Sequence, residues 1–128
     1  MIDRLRAAAE ALNRGDPEPF AALMADDSEW RGVSAGHLWW KHTPACHGPT
    51  EALEVMKHQI RKRADSRLEV RPEFKQVGAY KIIGSTEWIG TDGRRQVRYQ
   101  VLTFRDEKIV DMQGCSSRRE AERFARRH

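Results

Sequence analysis

The dipeptide Asp92-Gly93 constrains this chain more than any other feature. It stands between two runs, residues 80–90 and 95–105, in which apolar and polar side chains alternate. Asp-Gly in that setting is a strong hairpin signal, because both central residues of the favoured two-residue turn need positive φ. A turn centred there without a bulge sets Glu87 opposite Arg98 and separates two faces. One face carries Ile82, Gly84, Thr86, Val97, Tyr99 and Val101; the other carries Ile83, Ser85, Glu87, Arg98, Gln100, Leu102 and Phe104. Both are partly apolar, so helices should cover one side of the sheet and a second molecule the other, which points to a homodimer.

Helices are expected upstream of this hairpin. Ile2, Leu5, Ala9 and Leu12 recur at helical spacing, which predicts an amphipathic helix ending near Asn13. Gly15 suits the left-handed exit, Asp16 can cap the next helix, and Pro17 fits the first turn of that short second helix, with Phe20, Leu23 and Met24 on its buried side. A brief strand is expected over residues 28–33 and a long loop over residues 34–48, before Gly48-Pro49 opens a third helix running to about Ala64 with Leu53, Met56 and Ile60 inward. Leu68, Val70 and Phe74 alternate with charged residues as a strand should, and a last strand is expected over residues 108–113. The arginine-rich tail from Ser116 reads as a short helix or a frayed end.

A chain of 128 residues has room for one core, so one domain is expected over residues 1–128. Apolar residues at 39% and charged residues at 33% argue for a packed interior and against disorder. No apolar run reaches membrane-spanning length, and residues 1–13 are too charged for a signal sequence, so no membrane partner is expected and the cytoplasm is the default location. The net charge of +4 gathers near helix C-termini, where cations complement the helix dipole; without a nucleic-acid-binding motif, this argues against a nucleic-acid partner. Cys46 and Cys115 have no paired spacing and read as free thiols.

The order of these elements carries a resemblance. Asn13-Arg14-Gly15-Asp16 between two helices, Asp26-Asp27-Ser28-Glu29-Trp30, Gly48-Pro49 opening the third helix, and Phe104-Arg105-Asp106-Glu107-Lys108-Ile109-Val110 closing the meander together resemble the nuclear transport factor 2-like superfamily, in its SnoaL-like branch. That resemblance implies an α+β fold, a cone-shaped curved antiparallel sheet packed on three N-terminal helices, with a pocket on the concave face. It also implies that Gln100 stands where ketosteroid isomerases place an oxyanion-hole acid. The isomerase tyrosine falls at Ala8, its general base near Arg31 or Gly32, and the closing-strand aspartate of polyketide cyclases at Gly114. Fold likeness without those groups does not assign a reaction.

The expected function is therefore a pocket for a small apolar or aromatic metabolite, with cofactor-independent isomerase, cyclase or hydrolase chemistry open beside a purely binding or protein-interaction role. Trp30, Trp39, Trp40, Gln100, Leu102, Phe104 and Met112 are the expected ligand-binding residues, aromatic and apolar walls around one amide. Glu87 with Arg98, and His47 in the loop, are the candidate catalytic groups: a carboxylate beside a guanidinium could activate water, and an imidazole titrates near neutrality. A cross-strand ion pair and a surface histidine account for the same residues. His37, His42, Cys46 and His47 fall within one loop, but their spacing fits no zinc pattern, so no metal and no cofactor is assigned.

Overall fold

The structure is a computed structural model and describes residues 1–31, 46–66, 69–89 and 93–127. Helix α1 (Ile2–Asn13) buries Leu5 and Ala9 of the predicted stripe, with Ile2 and Leu12 partly buried against the same core, and also buries Ala8 and Ala11 beside them. Gly15 leaves it at φ 92°, and Asp16 Oδ1 accepts the Glu18 amide at 3.1 Å where α2 (Glu18–Ala22) begins. The chain then enters the sheet earlier than expected. Met24 is a strand residue and not a helical one, because the Ile109 amide donates to Leu23 O at 2.7 Å and draws the backbone against the last strand. Strand β1 (Met24–Arg31) thus replaces the shorter strand expected over residues 28–33.

After β2 (Cys46–His47), helix α3 (Gly48–Ser66) starts at Gly48, whose φ is 75° and whose missing Cβ would stand 3.0 Å from Asp26 O. Only a glycine lets the helix start press so closely on β1. Strands β3 (Glu69–Gln76), β4 (Lys81–Ile89), β5 (Arg95–Arg105) and β6 (Lys108–Cys115) complete a curved six-stranded sheet in the order β2-β1-β6-β5-β4-β3. Its pairings are antiparallel except for β1 with β6, which run parallel.

The hairpin register differs from the expected one by a single residue. Thr86 faces Arg98, Gly84 faces Gln100, and Glu87 faces Val97. The last pair is Ile89 with Arg95, so an odd number of residues separates the two strands, and the bulge-free two-residue turn on Asp92-Gly93 does not fit this pairing. Because side chains alternate with period two, this slip moves every side chain of β4 to the face opposite the one assumed.

Helices α1, α2 and α3 cover the inner face. There Leu5, Phe20, Met56, Ile82, Leu102, Ile109 and Met112 pack as one core cluster. The outer face has a cover of its own: α4 (Arg118–Arg127) lays Ala121, Phe124 and Ala125 on Ile83, Val101, Tyr99 and Cys115. The tail is a formed helix. Ser117 Oγ accepts the Glu120 amide at 3.1 Å, Glu120 reaches back to the Ser116 amide at 3.2 Å, and Lys81 Nζ donates to Ala125 O at its far end. The two-sided apolar character that pointed to a second molecule is thus met in large part by the chain's own last helix.

Candidate functional site

Strand pairing builds the floor of a cavity row by row. Trp30, Met112, Leu102 and Ile82 lie in register across β1, β6, β5 and β4; in the next row stand Gly114, Gln100, Gly84 and Phe74. Beyond them comes Thr86, with Pro72 on one side and Arg98 on the other. Helices α1 and α3 form the roof, contributing Ala9, Leu12 and Asn13, and Met56 and Gln59. The enclosed space is about 100 Å³ and partly open to solvent. That is of the same order as the roughly 150 Å³ apolar cavity known to hold benzene.

Gly84 has a specific task here. A Cβ at that position would meet Phe74 ring carbons at 3.2 and 3.3 Å and Leu102 Cδ1 at 3.6 Å. The missing side chain lets the Phe74 ring pack closely against its cross-strand partner and serve as a cavity wall.

Of the expected ligand-binding residues, Trp30, Gln100, Leu102 and Met112 line this cavity. Phe104 packs against the same core beside Ile109 without reaching the space. Trp39 and Trp40, like His37 and His42, lie outside the described residues.

The catalytic constellation is not assembled. Glu87 sits on the outer face with Arg95 Nη1 at 3.5 Å from its carboxylate, while Arg98 shares the inner-facing side of β5 with Gln100 but is exposed and does not line the cavity. The one-residue slip is the physical reason the two are apart. His47, the third candidate catalytic group, is paired with Glu29 on the far side of the sheet from Trp30, and its Nδ1 lies 3.7 Å from Glu29 Oε1.

That outer side holds a polar knot that sequence reading missed. Arg31 Nε donates to Gln113 Oε1 at 2.6 Å, Nη1 to Glu29 at 3.0 Å and Nη2 to Asp111 at 2.9 Å. The guanidinium fork ties the parallel β1–β6 pair together and fixes Trp30 between its two anchor residues. The period-two spacing of Glu29 and Arg31, and of Asp111 and Gln113, was its signal.

Asn13, Gln59 and Thr86 were also missed, and with Gln100 they supply the polar part of the lining. All four are neutral. Among the described residues no Asp, Glu, Lys, Arg or His lines the cavity, and no group of His, Cys, Asp and Glu could hold a metal ion. Neither thiol is reactive by environment: burial, with Glu120 adding to it, pushes Cys115 up to about 12, and burial with Glu51 raises Cys46.

A curved sheet roofed by helices around a small neutral cavity defines an α+β fold of the cone-shaped kind. The SnoaL-like domain family matches residues 5–112, and the chain belongs to that family, within the nuclear transport factor 2-like superfamily. No curated protein matches the sequence. Among solved structures, the fold is similar to an NTF2-like protein of unknown function from Burkholderia pseudomallei, at 22% identity and TM-score 0.60, covering 94% of this chain and 93% of that one. It is also similar to a candidate ketosteroid isomerase from Kribbella flavida, at 17% identity and TM-score 0.64 over 88% and 74% of the two chains. A computationally designed 17-OHP binder matches at 16% identity and TM-score 0.64, over 91% and 93%. At these identities the likeness concerns the fold. No helix among the described residues is long and apolar enough to cross a membrane.

Proposed function

We propose that this protein binds a small apolar or aromatic metabolite in the cavity between α1, α3 and the sheet. The observation that carries the reading is the cavity itself: walls of Phe20, Trp30, Met56, Phe74, Leu102 and Met112 with a few convergent polar groups, which is the usual composition of a ligand site. The resemblance of fold to a designed 17-OHP binder and to a candidate ketosteroid isomerase supports a small-molecule ligand for this fold.

Binding is favoured over catalysis. Proton transfer needs a positioned acid or base within hydrogen-bond reach of the ligand, and the described lining offers only amides and a hydroxyl. The proposal extends to a cytoplasmic location and to a homodimer, both carried over from the sequence. Since α4 covers the middle of the outer face, a dimer contact there would use its polar flank and the exposed Val97.

A thermal-shift screen on the wild type and on Ala9→Leu tests the reading. Ala9 is buried against the cavity, and a larger side chain fills it. Compounds that raise the melting temperature of the wild type should lose that effect in the variant. Equal stabilisation of both proteins would place binding elsewhere.

A further inference from the structure

We infer that the cavity selects an uncharged ligand bearing an amide, hydroxyl or carbonyl group, with Gln100 as its specificity-determining residue. This rests on the pocket reading above and goes beyond it, because an apolar pocket alone makes no such demand.

The polar groups of the lining are poised for a ligand. Gln59, Thr86 and Gln100 are half-buried, and among the described residues none of their side chains hydrogen-bonds to another protein group; Asn13 alone of the four is engaged within the protein. None of their polar atoms is both fully buried and unpaired among the described residues, so an occupant of the cavity would take the place of water on them. Gln100 is the most central. It stands between Gly84 and Gly114 in the sheet, one row from Leu102 and diagonal to Thr86, so no larger side chain flanks it in its own row except the Phe74 ring lying over Gly84. A carboxamide offers both a donor and an acceptor, and Thr86 adds a hydroxyl that can do either.

Charge is excluded by the same lining. An ion moved into this space would lose its hydration without meeting a counter-charge, which is strongly unfavourable. On that face Arg98 lies opposite Thr86, toward the β4–β5 connection, and is exposed. A pure hydrocarbon is disfavoured for the opposite reason: it would cover the Gln100 amide and leave its hydrogen bonds unmade.

Calorimetric titration at neutral pH with benzamide, toluene, benzoate and benzamidinium, four probes of closely similar shape, tests the inference. Benzamide should bind at least about tenfold more tightly than the other three, and Gln100→Met, which keeps the side-chain length, should remove its advantage over toluene. Gln59→Met serves as the second variant if Gln100→Met does not fold, and should reduce the same preference. Binding of toluene as tight as benzamide, a preference for benzoate, or a benzamide preference undiminished in the variants would overturn the inference while leaving the pocket standing. Failure of all four probes to bind would instead remove the pocket reading on which it rests.

Discussion

Truncating Leu102 to alanine tests whether the space beside it is a true void within a packed core. Leu102 is 1% exposed, belongs to the inner core cluster and forms part of the cavity wall. Large-to-small changes at such sites cost about 2–5 kcal/mol. One side of this leucine already faces open space, so it makes fewer close contacts than a fully surrounded residue, and the lower part of that range, about 2–3 kcal/mol, is expected. For a domain of this size each kcal/mol lowers the melting temperature by about 3–6 °C, giving a fall of roughly 6–18 °C by circular dichroism. The variant also enlarges an apolar space, so toluene should restore part of the loss. A ligand present at about a hundred times its dissociation constant contributes about 2.7 kcal/mol. The wild type, whose Gln100 resists a hydrocarbon, should gain much less. A loss below about 1 kcal/mol, or a large loss with no recovery in toluene, would refute the cavity as described.

Four further outcomes rest on particular contacts. Gly48→Ala should destabilise the protein by about 1–3 kcal/mol in urea unfolding, since it forces positive φ on an L-residue and sets a Cβ 3.0 Å from Asp26 O, whereas Gly78→Ala, with nothing within 4 Å, should lie within about 0.5 kcal/mol of wild type. Ser28 Oγ is buried without a hydrogen-bond partner among the described residues, so Ser28→Ala should be neutral or stabilising by about 1 kcal/mol; a clear loss would reveal a bond this geometry lacks. Cys115 titrates near 12 in the fold against 9.0 unperturbed, so its contribution to stability is intact below pH 9 and fades as pH rises toward 12; in a Cys46→Ser background its thiol should react with a disulfide reagent near neutrality only on unfolding. Arg98→Ala should leave benzamide affinity within about twofold of wild type, since the arginine lies outside the cavity lining.

Much of the fold was legible because it rests on periodicity. The stripes of α1 and α3 and the alternation of Gln100, Val101 and Leu102 fix which sides turn inward, and the structure follows them. The face of β4 was not legible, because Ile82 and Ile83 are adjacent and both buried, one on each side of the sheet. With both faces apolar, alternation cannot choose between registers, and the choice fell to a connection whose length local turn chemistry misjudged. For the tail the sequence left a short helix and a frayed end both open; the capping pair Ser117 and Glu120 and the stripe of Ala121, Phe124 and Ala125 decide for the helix. Gln59 and Asn13 are invisible in sequence for a simpler reason: a polar residue beside a helix's apolar stripe reads as solvent-facing until a second element arches over it.

The most direct measurement is side-chain amide NMR during titration with benzamide. The NH₂ signals of Gln59 and Gln100 should move together and saturate at the calorimetric affinity, while the amide signals of His47 and Glu87 on the outer side stay in place. Movement confined to the outer residues, or saturable binding that leaves both glutamines unmoved, would contradict a ligand site between the helices and the sheet.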